Sequence, residues 1–159
     1  MKFYTPQRDD CVIGVITQRF AEEYEVDINS SYTGRLNVVA FEGATKRNHP
    51  YLKPGDLVYC RVLQTFPGMQ ADLTCIVSGG PRSEWVNGSS LFGQLSAGYV
   101  FKVSCTQARK LLEPTCDILQ TIGSQIPYEC AIGVNGFVWV NSQNSKNTVT
   151  ISNTILNSL

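Results

Sequence analysis

The sequence predicts an all-β unit of five short strands followed by a mixed α/β unit. Three observations lead there. Five β-branched, apolar runs crowd ahead of residue 78, with turn residues between them. A stretch rich in Gly, Pro, Ser and Asn, SGGPRSEWVNGSS at 78–90, then interrupts the pattern. Beyond it the apolar spacing changes from strand-like to helix-like and back.

The runs CVIGVITQ (11–18), YEVDI (24–28), RLNVVAF (35–41), DLVYCRVL (56–63) and ADLTCIV (71–77) are the five strands. In YEVDI, Tyr24, Val26 and Ile28 share one face and Glu25 and Asp27 the other, the period of a half-buried strand. Pro54-Gly55 places a turn just ahead of the fourth run. Five short antiparallel strands in this span suit a small closed barrel of the OB type.

After the connection, GYVFKVS (98–104) reads as a strand. Ala108, Leu111 and Leu112 fall at helical spacing, and Pro114 marks the end of that helix. A second helix runs through CDILQTIG, with Leu119 and Ile122 on one side and Gly123 as its stop. YECAIG and FVWVN are two strands around a glycine-bearing turn. Ile151, Ile155 and Leu159, spaced i, i+4, i+8, make the last segment an amphipathic helix. The order β-α-α-β-β-α is that of a type I KH-like domain. The expected organisation is therefore a barrel over 1–78, a connection over 79–90 and a KH-like domain over 91–159. Units this small sit near the lower size limit for independent stability, so they are expected to pack against each other.

Composition narrows the function classes. The 159 residues are 43% hydrophobic, and 13 Lys+Arg balance 13 Asp+Glu for a net charge of zero. That excludes the disordered class and argues against binding nucleic acid by bulk positive charge. The balance is also local, with 8 basic and 9 acidic residues in 1–77 and 5 and 4 in 78–159. No apolar run is long enough for a membrane span, and MKFYTPQRDD lacks the apolar core of a signal peptide. The six cysteines contain no CxxC pair. Cys11, Cys75 and Cys130 sit inside apolar runs, so reduced, buried thiols are expected rather than disulfides or a zinc ribbon. The sequons at Asn29 and Asn87 then carry no meaning.

Little in the sequence suggests catalysis. His49 is the single histidine and lies in the loop KRNHP, where a solvated side chain is the expectation. Asp9-Asp10, ahead of the first strand, reads as a solvated pair. No P-loop, nucleophile elbow or HExxH occurs, and no inward set of carboxylates suited to a two-metal nuclease is identifiable. The expectation is a non-enzyme without metal or cofactor. The densest polar cluster is Thr45-Lys46-Arg47-Asn48-His49, with Arg35 and Lys53 in neighbouring segments. Adjacent donors on a barrel rim can grip a phosphate, although the bland alternative is a solvated loop. Phe20, Tyr24, Tyr32 and Phe41 could stack bases, but rings in a five-stranded barrel more often fill the core. Glu22, Glu23, Glu25 and Glu42 would repel phosphate.

The KH-like half departs from nucleic-acid binding at its key loop. A KH domain grips RNA with GxxG between its two consecutive helices, whereas this chain has Glu113-Pro114-Thr115-Cys116. Gly133-Val134-Asn135-Gly136 lies instead between two strands, where it most simply makes a turn.

The OB-plus-KH order and the stretches Val12–Ile16, FEGATKRN (41–48), GDLVY (55–59), ARKLL (108–112) and IGVNGFVWV (132–140) resemble the cap subunits of the eukaryotic RNA exosome. The resemblance is closest to the ribosomal RNA-processing protein 40 family and runs over nearly the whole chain. It implies a non-catalytic subunit on a ring of RNase-PH-like proteins, near the RNA entry pore, in the nucleus (nucleolus included) and cytoplasm. It also implies that the GxNG motif packs between the two domains. RNA and the ring and cap subunits are the implied partners, with no membrane and no small-molecule substrate. Arg35, Lys46, Arg47, Asn48, Phe20 and Tyr24 are the candidate RNA contacts. The family carries a β-rich domain ahead of the barrel, whereas this chain begins almost at the barrel. Trp85, in the connection, is either a docking aromatic or a cover for the core. The rival expectation is a purely structural clamp between ring proteins, without RNA contact.

Overall fold

The computed structural model describes residues 4–41, 44–45, 47–49, 51–76, 85–86, 93–95, 98–113 and 117–158, with backbone alone at 85–86. The Lys46, Cys116 and Trp85 side chains therefore lie outside the described residues.

Five strands close a barrel: β1 (Cys11–Arg19), β2 (Glu23–Asp27), β3 (Gly34–Phe41), β4 (Leu57–Gln64) and β5 (Ala71–Cys75). The order β1-β2-β3-β5-β4 returns to β1 through β1–β4 pairing, and only the β3–β5 pairing among these is parallel. Alternation drives the closure. In β2 and β3, Tyr24, Val26, Leu36 and Val38 point inward, while Glu25, Arg35 and Asn37 are more exposed. Each fully buried aliphatic side chain contributes about 1.5–3 kcal/mol relative to exposure.

The second sheet has the order β6-β9-β10-β8, from β6 (Trp85–Val86), β9 (Tyr128–Ile132), β10 (Phe137–Ser142) and β8 (Tyr99–Lys102). Helices α1 (Cys105–Leu112), α2 (Ile118–Gly123) and α3 (Ser145–Asn157) pack their apolar stripes with it. Leu111, Leu119, Ile122, Ile151 and Ile155 form that core with Val138 and Val140. The starts of α1 and α3 are fixed by side chains: Ser104 and Gln107 complete a capping box on α1, and Asn144 Oδ1 accepts from the Asn147 N–H on α3 at 2.8 Å.

Two short strands were not anticipated. β6 hydrogen-bonds to β9 in the second sheet, whereas β7 (Gly93–Leu95) hydrogen-bonds to β4 of the barrel. The chain thus returns to the barrel beyond residue 90, the expected start of the KH-like domain, before β8 opens the βααββα order. The two units share a third apolar cluster, in which Ile13, Tyr59 and Leu95 of the barrel side meet Ala131, Phe137 and Trp139 of the second sheet. Cys60, Cys75 and Cys130 are buried, and burial pushes the Cys130 thiol up from 9.0 to about 12 and raises the other two. They stay protonated and act as small apolar fillers. No described helix is long and apolar enough to cross a membrane.

Candidate nucleic-acid interface

In the basic loop, Thr45 and Asn48 are hydrogen-bonded to each other. Thr45 N–H donates to Asn48 O at 2.9 Å, and Asn48 N–H donates to Thr45 O and Oγ1 at 3.2 and 3.1 Å. These bonds use the turn's own backbone, so the exposed side chains of Arg47 and Asn48 project from a defined loop. Farther on, Leu52 is buried and donates its N–H to Tyr24 Oη at 3.1 Å. Lys53 N–H donates to Asp56 Oδ2 at 3.0 Å.

The candidate contacts do not share one surface. Tyr24 is fully buried, so it cannot stack a base; its alternating position on β2 sends the ring into the barrel, where its hydroxyl braces Leu52. Phe41 is buried in the same core. Phe20 and Tyr32 are about half exposed, at 47% and 51%. Arg35 remains partly exposed, but its guanidinium meets Asp72 at 2.8 Å because the parallel β3–β5 register sets the two residues side by side. The Asp9-Asp10 pair is not simply solvated either. Asp9 pairs with buried Arg61 at 3.0 Å, and Asp10 accepts from the Tyr4 hydroxyl. Burial and that carboxylate together raise the Tyr4 pKa. Among the described residues, no three His, Cys, Asp or Glu side chains gather as a metal site.

The GVNG turn points inward. Asn135 is fully buried, and its Nδ2 donates to Ile13 O at 2.8 Å and Ile28 O at 2.9 Å, while Oδ1 accepts from Ile13 N–H at 3.3 Å. Val134 N–H donates to Cys11 O at 2.9 Å, and Asn29 Nδ2 donates to Asn135 O at 2.9 Å. Both glycines are required. A Cβ at Gly133 would stand 2.6 Å from Ile13 N, and Gly136 has φ +96° with Val103 O 2.5 Å from where a Cβ would be. The turn between β9 and β10 therefore ties the second unit to β1 and to the segment after β2.

Comparison with known proteins agrees with this two-unit architecture. The model of the S1 domain of exosome complex component RRP40 matches residues 4–85, and a KH domain model matches 98–146. This chain belongs to the RRP40 family. A Dictyostelium discoideum protein named for exosome complex component rrp40 is 45% identical over 99% of this chain and 63% of its own length. The Schizosaccharomyces pombe exosome complex component rrp40 is 42% identical over 98% and 63%. The chain thus spans about 63% of the length of these RRP40 relatives. A crystal structure described as that of an exosome complex RNA-binding protein superposes with TM-score 0.73, covering 96% of this chain and 86% of the other at 22% identity, a likeness of fold.

On this RRP40-type fold, Arg19 and Tyr51 meet, a pairing that the sequence does not single out. Tyr51 is 65% exposed, and the Arg19 guanidinium carbon lies 4.9 Å from its ring centroid. An aromatic interleaved with cations, as in KRNHPYLK, was the available signal.

Proposed function

We propose that this chain is a non-catalytic RNA-binding cap subunit of the RNA exosome. It helps to hold the ring together and guides RNA to a nuclease carried by other subunits, for 3'–5' processing and degradation in nucleus, nucleolus and cytoplasm. The observation that carries the reading is the exposed Thr45–Asn48 turn on an S1-type barrel, with Arg47 and Asn48 projecting. Lys46 and Arg47 supply phosphate contacts with Asn48 beside them, exposed Phe20 offers a ring to a base, and Arg35 contributes once it leaves Asp72. With zero net charge the grip is local and salt-sensitive. Replacing both Lys46 and Arg47 by Glu in the assembled complex is expected to weaken RNA capture and flatten its salt dependence. Unchanged capture would sink the assignment.

A structural clamp without RNA contact is the second reading. It is favoured by the neutral charge and by the absence of glycine from Glu113–Cys116, where a KH domain would hold phosphate. Ultraviolet crosslinking of RNA to the assembled complex separates the two: an adduct on this chain supports guidance, and its absence supports the clamp.

A further inference from the structure

Tyr51 is large, apolar over most of its surface and turned outward, yet its surroundings are fixed. Leu52 is anchored in the core through Tyr24 Oη. The following turn is tied to β1, with Gly55 N–H donating to Ile16 O and Ile16 N–H to Asp56 O, both at 2.8 Å. The tether holds the end of β1 beside the loop, so Arg19 lies over the Tyr51 ring at 4.9 Å. His49 lies 4.8 Å from the same ring, tilted by 37°. A cleft of about 540 Å³ opens alongside, lined by Tyr51, Lys53, Asp56, Gln94 and Gly98 among others. The acidic residue in that lining, Asp56, already accepts from the Lys53 N–H.

We propose that Tyr51, braced by Arg19, is a stacking platform for one base of single-stranded RNA passing the Arg47 turn. This rests on the RNA-binding reading above. Every base presents a π face, so a fixed exposed ring serves any sequence. A guanidinium at such a ring adds cation–π attraction and a donor for the flanking phosphate. Gln94 and Asp56 put polar groups in the cleft that the edge of the base would enter. Arg19 at the ring and Lys53 in the cleft lining favour a polyanion as its occupant.

The test uses the full chain and a fluorescein-labelled oligouridine of about twelve nucleotides, within the span one OB fold covers. Tyr51→Ala is expected to weaken binding about tenfold, and Tyr51→Phe to stay within about twofold of the parent. With an oligonucleotide whose bases are removed, Tyr51→Ala should make no difference. An unchanged unfolding midpoint verifies that the exposed substitution leaves the fold intact. If Tyr51→Ala binds as the parent does while Arg47→Glu binds more weakly, the platform is refuted and the RNA reading stands. If the parent chain captures no oligouridine, both fall. If Tyr51→Ala keeps RNA affinity but no longer co-purifies with its complex, the ring is a protein contact and the platform is overturned.

Discussion

Two loops that each carry an asparagine behave in opposite ways. The turn at 133–136 sets its asparagine between a valine and a glycine, whereas the loop at 45–53 sets Asn48 among Lys46, Arg47, His49 and Tyr51. In the first, every polar atom of the Asn135 side chain is hydrogen-bonded to barrel backbone, and the residue is fully buried. In the second, Thr45 and Asn48 bond to each other and the Leu52 N–H donates to Tyr24 Oη, while Arg47, Asn48 and Tyr51 face solvent. A polar side chain committed to a buried partner is unavailable to a ligand; one left in solvent by a backbone whose bonds are met without it is available. The first loop is therefore a joint, and the second is the surface proposed above for RNA contact.

The sharpest way to break the comparison is Asn135→Ala. It leaves the Ile13 and Ile28 carbonyls without their side-chain donor, and a loss of about 3 kcal/mol is expected in urea unfolding. A change under about 1 kcal/mol would show that the turn is no joint. Gly136→Ala comes next, at about 2 kcal/mol, because it puts a Cβ on a positive-φ residue facing Val103 O. Tyr24→Phe should cost about 1 kcal/mol by removing the acceptor for Leu52 N–H. It should also loosen the exposed loop, readable as faster amide exchange at Leu52. The smallest stability effect belongs to Asp72→Asn. Its partly exposed ion pair with Arg35 is worth no more than about 1 kcal/mol, but freeing Arg35 should raise RNA affinity. Lower affinity in that variant would remove Arg35 from the contact set.

Much of the architecture was legible because it rests on local pattern. The five barrel strands and the βααββα order follow from side-chain period, and their ends fall within about two residues of the expected ones, as element boundaries usually do. β6 and β7 were not legible. At two and three residues they carry no period, and pairing with β9 and β4 recruits them. The site was less legible than the fold. Tyr24 and Tyr51 are the same residue type; Tyr24 alternates into the barrel from β2, whereas Tyr51 lies exposed in the loop between β3 and β4.

Residue order alone determined the strands and helices, the turn character of GVNG and the missing glycine clamp, because each depends on neighbours a few positions apart. Only the tertiary structure decided that Arg35 meets Asp72, that Asn135 reaches Ile13 and Ile28, and that Arg19 covers Tyr51. Those contacts depend on strand register and barrel closure, which join residues distant in the chain, and local spacing carries no record of them.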